Sequence, residues 1–238
     1  GLSESFAPKY SQPQQVFTFW RNLLESWGFL VFQTTKISLS TFWGLSIYHK
    51  ELPIILVNGS DSPYGKVFTL FHELAHVANR TSGLCALQEN SHEEIIANRF
   101  AANFLMPEAS VQKLTEYIDT TNPYEQAEQL AKDLKVSPLA AGVRLRTLNI
   151  ISDADLAKIR GQSDKHWNQQ RESRKHNGSH VPHWRLRYRD LGTTYIGAVA
   201  QALEDQRVDM MDATYLLHAK IPTIEKMLDE YYGTGGTE

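Results

Sequence analysis

The sequence predicts an α+β protein in which a small sheet of three or more strands packs on helices and a mostly helical C-terminal region follows. Two observations lead to this prediction. Three short segments rich in β-branched and aromatic residues lie within the first quarter of the chain, separated by polar turns. Beyond residue 64, apolar residues instead recur at the three- and four-residue spacing of amphipathic helices.

The N-terminal elements are defined by their apolar spacing and by the residues that interrupt it. Residues 14–27 have helical spacing, which Gly28 ends. Three segments bounded by turn residues then have the composition of strands. These predicted strands are FLVFQ (29–33), FWGLSIYH (42–49) and PIILVN (53–58).

Helical spacing dominates the rest of the chain, and Pro107 and polar runs divide it into separate helices. Residues 161–183 are predicted as a loop because of their Gly, Ser, Gln, Asn and His content. Alternation in WRLRYR (184–189) predicts a strand. The predicted helices cover about Tyr64–Arg80, Ser91–Met106 and Glu108–Ile118, three segments between residues 125 and 160, and two or three helices between Thr194 and Tyr232.

Composition indicates a soluble globular protein, with 42% hydrophobic and 21% charged residues. No apolar run approaches the roughly 20 residues that cross a bilayer, and the N-terminus lacks a basic-then-apolar signal pattern. The lone cysteine, Cys85, excludes an intrachain disulfide and is typical of a reducing compartment. We therefore expect a cytoplasmic location without membrane contact. The chain begins at Gly1 instead of Met, which indicates residues removed or left out upstream.

The stretch FHELAHVANR, residues 71–80, has the clearest chemical pattern. His72 and His76 are four residues apart, so on a helix both imidazoles lie on one face. Glu73 follows the first histidine and can reach a water bound between them. This is the HExxH arrangement, in which two histidines bind zinc and the glutamate is a general base. Composition alone gives roughly 0.02 expected matches in a chain of this length, so a chance match on an ordinary helix is disfavoured.

A catalytic zinc site needs a third protein ligand besides a water. A metzincin would have Gly and His where this sequence has Asn79 and Ser82, so that class is excluded. A gluzincin instead takes a glutamate from a second helix. The run ENSHEEIIANRFAANFLMP offers Glu89, Glu93 and Glu94.

Glu94 is our choice among these glutamates because of its neighbours on the helix face. It shares that face with Ala97, Asn98 and Ala101, and the two alanines allow close approach of the histidine helix. Asn98 is placed to hydrogen-bond a ligand histidine. The alternative role for Glu94 is a capping box with Ser91, three residues earlier.

The stretch FTLFHELAHV followed by EEIIANRFAANFLMP resembles the ImmA/IrrE family of metallo-endopeptidases, and the FWGLSI and PIILVN strands fit as well. The resemblance covers about residues 15–150. It implies a gluzincin-like core in which the sheet packs on zincin-type helices. It also implies that His72, His76 and Glu94 hold one Zn²⁺ and that Glu73 is the general base.

The resemblance also implies a biological role. The usual substrate in the family is a helix-turn-helix transcriptional repressor, whose cleavage derepresses a mobile element, stress regulon or defence operon. We therefore expect such a repressor as the substrate, in transcription regulation linked to the DNA damage response or phage defence. One alternative is a catalytically silent module that binds a repressor or single-stranded nucleic acid, and another is a zinc hydrolase of small amides. The presence of Glu73 favours the peptidase.

Two segments near the expected metal site are predicted to control what reaches it. Peptidases hold extended substrates along a sheet edge, and PIILVN, just before the histidine helix, is the candidate edge strand. Cys85 lies between the two ligand helices, where its thiolate could occupy the open fourth position and inhibit the enzyme. The alternative role for Cys85 is a small buried apolar residue.

Residues 120–160 have the outline of a helix-turn-helix. Ser137 and Pro138 supply the cap and first turn of its second helix, which includes Arg144 and Arg146. The segment either contacts DNA or braces the peptidase helices, and the scarcity of basic residues favours the brace.

Charge is unevenly distributed near the C-terminus. Residues 158–189 contain nine Lys and Arg against two acidic residues, and residues 190–238 contain three against nine. On a strand, Arg185, Arg187 and Arg189 would share one face beside Trp184, which suits contact with single-stranded DNA as an activator. A solvated loop leading into an edge strand is the alternative.

The sequence predicts three domains. They are 1–119, a zinc metallopeptidase domain; 120–160, a helix-turn-helix-like segment; and 161–238, a basic loop and strand with C-terminal helices that form a sensor or regulatory domain.

Overall fold

The fold is a small mixed sheet surrounded by helices, and the α+β class that the sequence predicts is confirmed. The computed structural model describes residues 7–80, 83–85, 92–176 and 181–235. The strands are β1 (Leu30–Thr34), β2 (Gly44–Ile47), β3 (Ile54–Asn58) and β4 (Gly83–Cys85). The helices are α1 (Pro13–Ser26), α2 (Pro63–Ala78), α3 (His92–Leu105), α4 (Glu108–Thr115), α5 (Pro123–Leu134), α6 (Pro138–Thr147), α7 (Asp153–His176), α8 (His183–Leu191), α9 (Thr193–Glu204), α10 (Met210–Leu216) and α11 (Ile221–Gly235).

The sheet has the strand order β1-β3-β2-β4. Strand β3 pairs parallel with β1 and antiparallel with β2, and β4 pairs antiparallel with β2. The prediction that PIILVN lies at a sheet edge is therefore wrong. Its Ile55 and Val57, which lie on the same face of the sheet, are fully buried.

Helix α2 is fixed at its start by a cap and along its length by an aromatic cluster. The Ser62 side chain accepts a hydrogen bond from the Gly65 amide at 2.9 Å, and Pro63 occupies the first turn, as helix starts favour. Further along, the Phe71 ring packs edge-to-face against Trp20 of α1, with ring centroids 4.9 Å apart. It also stacks on Phe104 of α3, with centroids 4.3 Å apart. Such ring pairs contribute about 0.5–1.5 kcal/mol beyond their burial. The residue after Phe71 is the first histidine of the HExxH motif, so this core orients the candidate site.

The C-terminal helices dock on α1 and β1 through polar contacts of α8 and α9. The buried Arg21 guanidinium donates to the Arg189 carbonyl at 2.6 Å, and Gln33 of β1 donates to the same oxygen at 3.3 Å. Carbonyls in the last turn of a helix lack partners within the helix, so these donors satisfy one of them. Thr194 of α9 adds a 2.9 Å bond to Glu25, which also pairs with Arg21.

Two predictions for the basic segment are wrong. Helix α7 continues to His176 through residues predicted as a loop, because Gln, Lys, Arg and Glu favour helix and no proline interrupts them. WRLRYR is not a strand but most of α8. Trp184, Tyr188 and Leu191 recur at the i, i+4, i+7 spacing of a helix and pack together on α9–α11, which a strand would not allow.

Arg187 consequently lies on the opposite side of α8 from Arg185 and Arg189, so the three arginines do not form one face. Arg185, Arg187 and Arg189 are two residues apart, and each such step rotates a side chain by about 200° around a helix. In the structure Arg187 donates to the Leu217 carbonyl at 2.9 Å, and Arg189 pairs with Asp190 at 2.7 Å. Arg185 stacks over Trp184, 5.2 Å from the ring centroid. Contact of this segment with single-stranded DNA stays a prediction without its original geometric basis.

Across the described ranges, no helix is both long enough and apolar enough to span a bilayer. Buried apolar residues fall into two clusters, one formed from α1 through α7 and the other from α8 through α11. These clusters do not test the predicted domain boundaries at residues 119 and 160, which stay a prediction.

Candidate metal centre

Helix α2 brings the two histidines of HELAH together. His72 and His76 are only 6% and 3% exposed, and their Nε2 atoms are 3.2 Å apart. One helical turn separates the residues, so both rings project from the same side of α2. The pair forms one wall of a buried polar site.

Glu94 of α3 forms the opposite wall. Its Oε2 lies 3.1 Å from His72 Nε2, and its Oε1 lies 3.2 Å from His76 Nε2. Helices α2 and α3 pack closely enough for these contacts because small residues lie between them. Ala97 and Ala101 of α3 face α2, are 1% and 0% exposed, and carry only a methyl group. Within the described ranges, these three residues are the group of side chains whose donor atoms could hold a metal ion.

Asn98, one turn after Glu94, orients the first histidine. Its Oδ1 lies 3.0 Å from His72 Nδ1. An amide oxygen only accepts, so His72 Nδ1 carries the proton and Nε2 keeps its lone pair directed at the site. Burial lowers the pKa of His72 below its ordinary 6.5, with nearby His76 adding to the lowering and Glu94 opposing it. The imidazole is therefore neutral near pH 7, which is the form that binds metals.

The three side chains fit a divalent metal ion. Zinc bonds of about 2.0–2.1 Å in a tetrahedral site place neighbouring donor atoms about 3.3 Å apart, close to the 3.1–3.2 Å separations here. With a metal ion between them, the two imidazole nitrogens and the carboxylate oxygens could each direct a lone pair at the ion. Two nitrogens and one carboxylate form the three-ligand set of catalytic zinc sites that keep a position open for water.

Glu73 lies on the side of α2 that faces the sheet. It is fully buried, and Gly44 at the start of β2 lies directly against it. The sequence indicated Glu73 through HExxH but gave no role to Gly44. A glycine inside an otherwise apolar strand was the available signal, since it often marks a close approach to the backbone.

Cys85 lies at the end of β4, and its backbone pairs with Gly44. Its side chain lies outside the part of the chain that the structure describes, so the fourth-ligand hypothesis stays a prediction.

An HExxH helix whose histidines meet a glutamate from the following helix, beside a mixed sheet, is the arrangement of a gluzincin-type metallopeptidase domain. Residues 29–146 match the Peptidase_M78 family model, described as the IrrE N-terminal-like domain, and this part of the chain belongs to that family. The match runs from β1 to α6 and contains every residue of the candidate metal centre. No curated protein and no solved structure matches the chain.

Proposed function

We propose that this protein is a zinc-dependent endopeptidase that cleaves a helix-turn-helix transcriptional repressor and thereby derepresses a stress, mobile-element or defence operon. The observation that supports it best is the triangle of His72, His76 and Glu94 donor atoms with edges of 3.1–3.2 Å. The family supports the peptidase class. The repressor substrate rests on the resemblance to ImmA/IrrE proteins.

In this proposal His72, His76 and Glu94 hold one Zn²⁺. The ion, when bound, supplies Lewis-acid polarisation of a water and of the scissile carbonyl. Asn98 keeps the His72 ring in its ligating tautomer through the 3.0 Å bond to Nδ1. His72, Glu73 and His76 are buried, and electrostatic interactions are stronger in such surroundings than in water.

Glu73 is the proposed general base. Its carboxylate accepts a proton from the attacking water and then delivers it to the nitrogen of the departing amine. A proton-transfer group of this kind contributes about 10²–10⁴ in rate. Glutamine at this position keeps the size of the side chain but cannot hold the transferred proton, so Glu73→Gln separates catalysis from folding.

The test is incubation of wild type and variants with purified helix-turn-helix repressors encoded beside the gene, with and without a chelator. Wild type loaded with zinc should release discrete fragments. Glu73→Gln should retain zinc and lose about 10²–10⁴ in rate. Glu94→Gln should lose zinc, whereas Glu93→Gln, an exposed neighbour on the same helix, should behave as wild type.

Two results would reject the proposal. Stable binding of a repressor without cleavage by zinc-loaded wild type would identify a silent regulatory module. Cleavage that persists in Glu73→Gln at the wild-type rate would remove the glutamate from the mechanism.

A further inference from the structure

The backbone conformation at position 44 does not require a glycine. Gly44 opens β2 and is paired on both sides, with Val57 of β3 and with Cys85 of β4. Glycine inside a strand weakens the strand, since it has no side chain to pack and loses more conformational freedom on folding. Its φ lies outside the left-handed region, so another residue could adopt this backbone conformation. The missing side chain must therefore matter for space.

Helix α2 fills the space that a side chain at position 44 would need. A Cβ on Gly44 would lie 2.5 Å from Thr69 Cγ2 and 2.6 Å from Glu73 Oε1. Ordinary van der Waals contacts of a Cβ begin at 3.4 Å. Thr69 and Glu73 are four residues apart, so they lie on the same face of α2, and that face rests on the start of β2.

We propose that Gly44 is the positioning residue of the catalytic glutamate: its bare backbone is the surface against which the Glu73 carboxylate rests. This inference depends on the proposed peptidase function for its catalytic meaning. A methyl group at position 44 would have to push Glu73 Oε1 away by about 0.8 Å, from 2.6 Å to the 3.4 Å of an ordinary contact. Misplacement of a reacting group by about 1 Å costs roughly 100-fold in rate.

The displacement should affect catalysis without affecting the metal ligands. The three atoms nearest to the added Cβ belong to Thr69 and Glu73, and none belongs to His72, His76 or Glu94. Gly44→Ala should therefore lower kcat by about 10- to 100-fold and leave KM and zinc stoichiometry unchanged. A merely structural role would instead reduce zinc content, folding and rate together.

The Thr69 contact can be separated from the Glu73 contact. Thr69→Ser removes the Cγ2 methyl, so the Gly44→Ala/Thr69→Ser variant keeps only the overlap with Glu73. It should recover thermal stability relative to Gly44→Ala and keep the reduced kcat. Gly161→Ala is the matched control, because an added Cβ there meets nothing within 4 Å. It should retain wild-type kcat and should not lower Tm, since alanine favours the helix that contains position 161.

A second readout needs no substrate. Gly44→Ala should lower Tm by roughly 2–12 °C in the wild-type background. In a Thr69→Ser/Glu73→Ala background, where both contacting groups are removed, the same substitution should change Tm by less than about 2 °C. These two backgrounds form a mutant cycle, and Tm is measured by differential scanning calorimetry on metal-free and zinc-loaded protein. The comparison of the two forms detects a loss of zinc binding separately.

The outcomes distinguish this inference from the proposed function. Wild-type kcat in Gly44→Ala/Thr69→Ser, a fall in kcat that tracks zinc loss, or an equal Tm cost in both backgrounds would each overturn the role of Gly44. If zinc-loaded wild type cleaves no repressor, the proposed function fails, and the Tm cycle alone decides whether Glu73 rests on Gly44.

Discussion

Lys66 should make the protein more stable as the pH rises through the alkaline range. It lies on α2, is only 4% exposed, donates to Gln33 Oε1 at 3.1 Å and sits 4.5 Å from the Phe17 ring centroid. Burial is the main reason why the pKa of Lys66 falls from 10.5 to about 8. The charged groups around it act in both directions, with Arg189 and Arg21 lowering the pKa and Asp61 and Asp190 raising it.

The sign and size of the effect follow from linkage. Between pH 8 and 10.5 the unfolded chain holds a proton on Lys66 that the folded protein has released, so raising the pH favours folding. At 1.36 kcal/mol per pKa unit, the charged lysine costs about 3 kcal/mol near pH 7. By about pH 9.5 that cost falls to about 1 kcal/mol, so roughly 2 kcal/mol of stability returns.

The comparison of wild type with Lys66→Met isolates this lysine from other groups that titrate. Urea unfolding at about pH 7 and about pH 9.5 should show wild type gaining about 2 kcal/mol relative to Lys66→Met, or roughly 4–8 °C in Tm. Lys36→Met, at an exposed position, is the control and should show no such change. A difference between wild type and Lys66→Met that is equal at the two pH values would refute the reasoning.

Three further predictions concern the metal centre and the docked helices. Asn98→Ala should weaken zinc binding about 10- to 100-fold in a chelator competition assay because the ligand histidine loses its orienting acceptor, whereas Asn103→Ala, exposed on the same helix, should not. Zinc at about 100 times its Kd should raise the free energy of unfolding of metal-free protein by about 2.7 kcal/mol, and an absent Tm response would contradict the metal site. Gly192→Ala should lower Tm by roughly 2–12 °C, because Gly192 has a φ of +87° and an added Cβ would overlap the Arg21 guanidinium. Gly161→Ala is the control, and an equal Tm for both variants would argue against the docking contact.

The elements that could be predicted from the sequence are those set by local spacing. The three strands before α2 lie where their β-branched and aromatic residues indicate, with small shifts at the ends. Helical periodicity also allowed His72, His76 and Glu94 to be selected as partners, because a period of 3.6 determines which residues share a face. The Ala97 and Ala101 face lies at the helix contact for the same reason.

The remaining features depend on contacts between distant segments. Strand order is not encoded by the composition of one strand, so the interior position of β3 became clear only from its pairing with both β1 and β2. The bond from Arg21 to the Arg189 carbonyl joins residues 168 apart in the sequence. The contact of Gly44 with Glu73 likewise requires the crossing of β2 and α2 to be known.

The contacts of the two arginines in the helix-turn-helix-like pair α5 and α6 favour the interpretation of this pair as a brace for the peptidase helices. DNA recognition by such a unit requires exposed basic side chains on its second helix. Arg144 is only 7% exposed and donates to the Met106 carbonyl at 2.9 Å, which anchors the C-terminal end of the Glu94 helix. Arg146 is held in two bonds to Asp153, at 2.6 and 2.8 Å. The two arginines that suggested DNA contact therefore hold α6 against its neighbours, and the family match extends to residue 146, within α6.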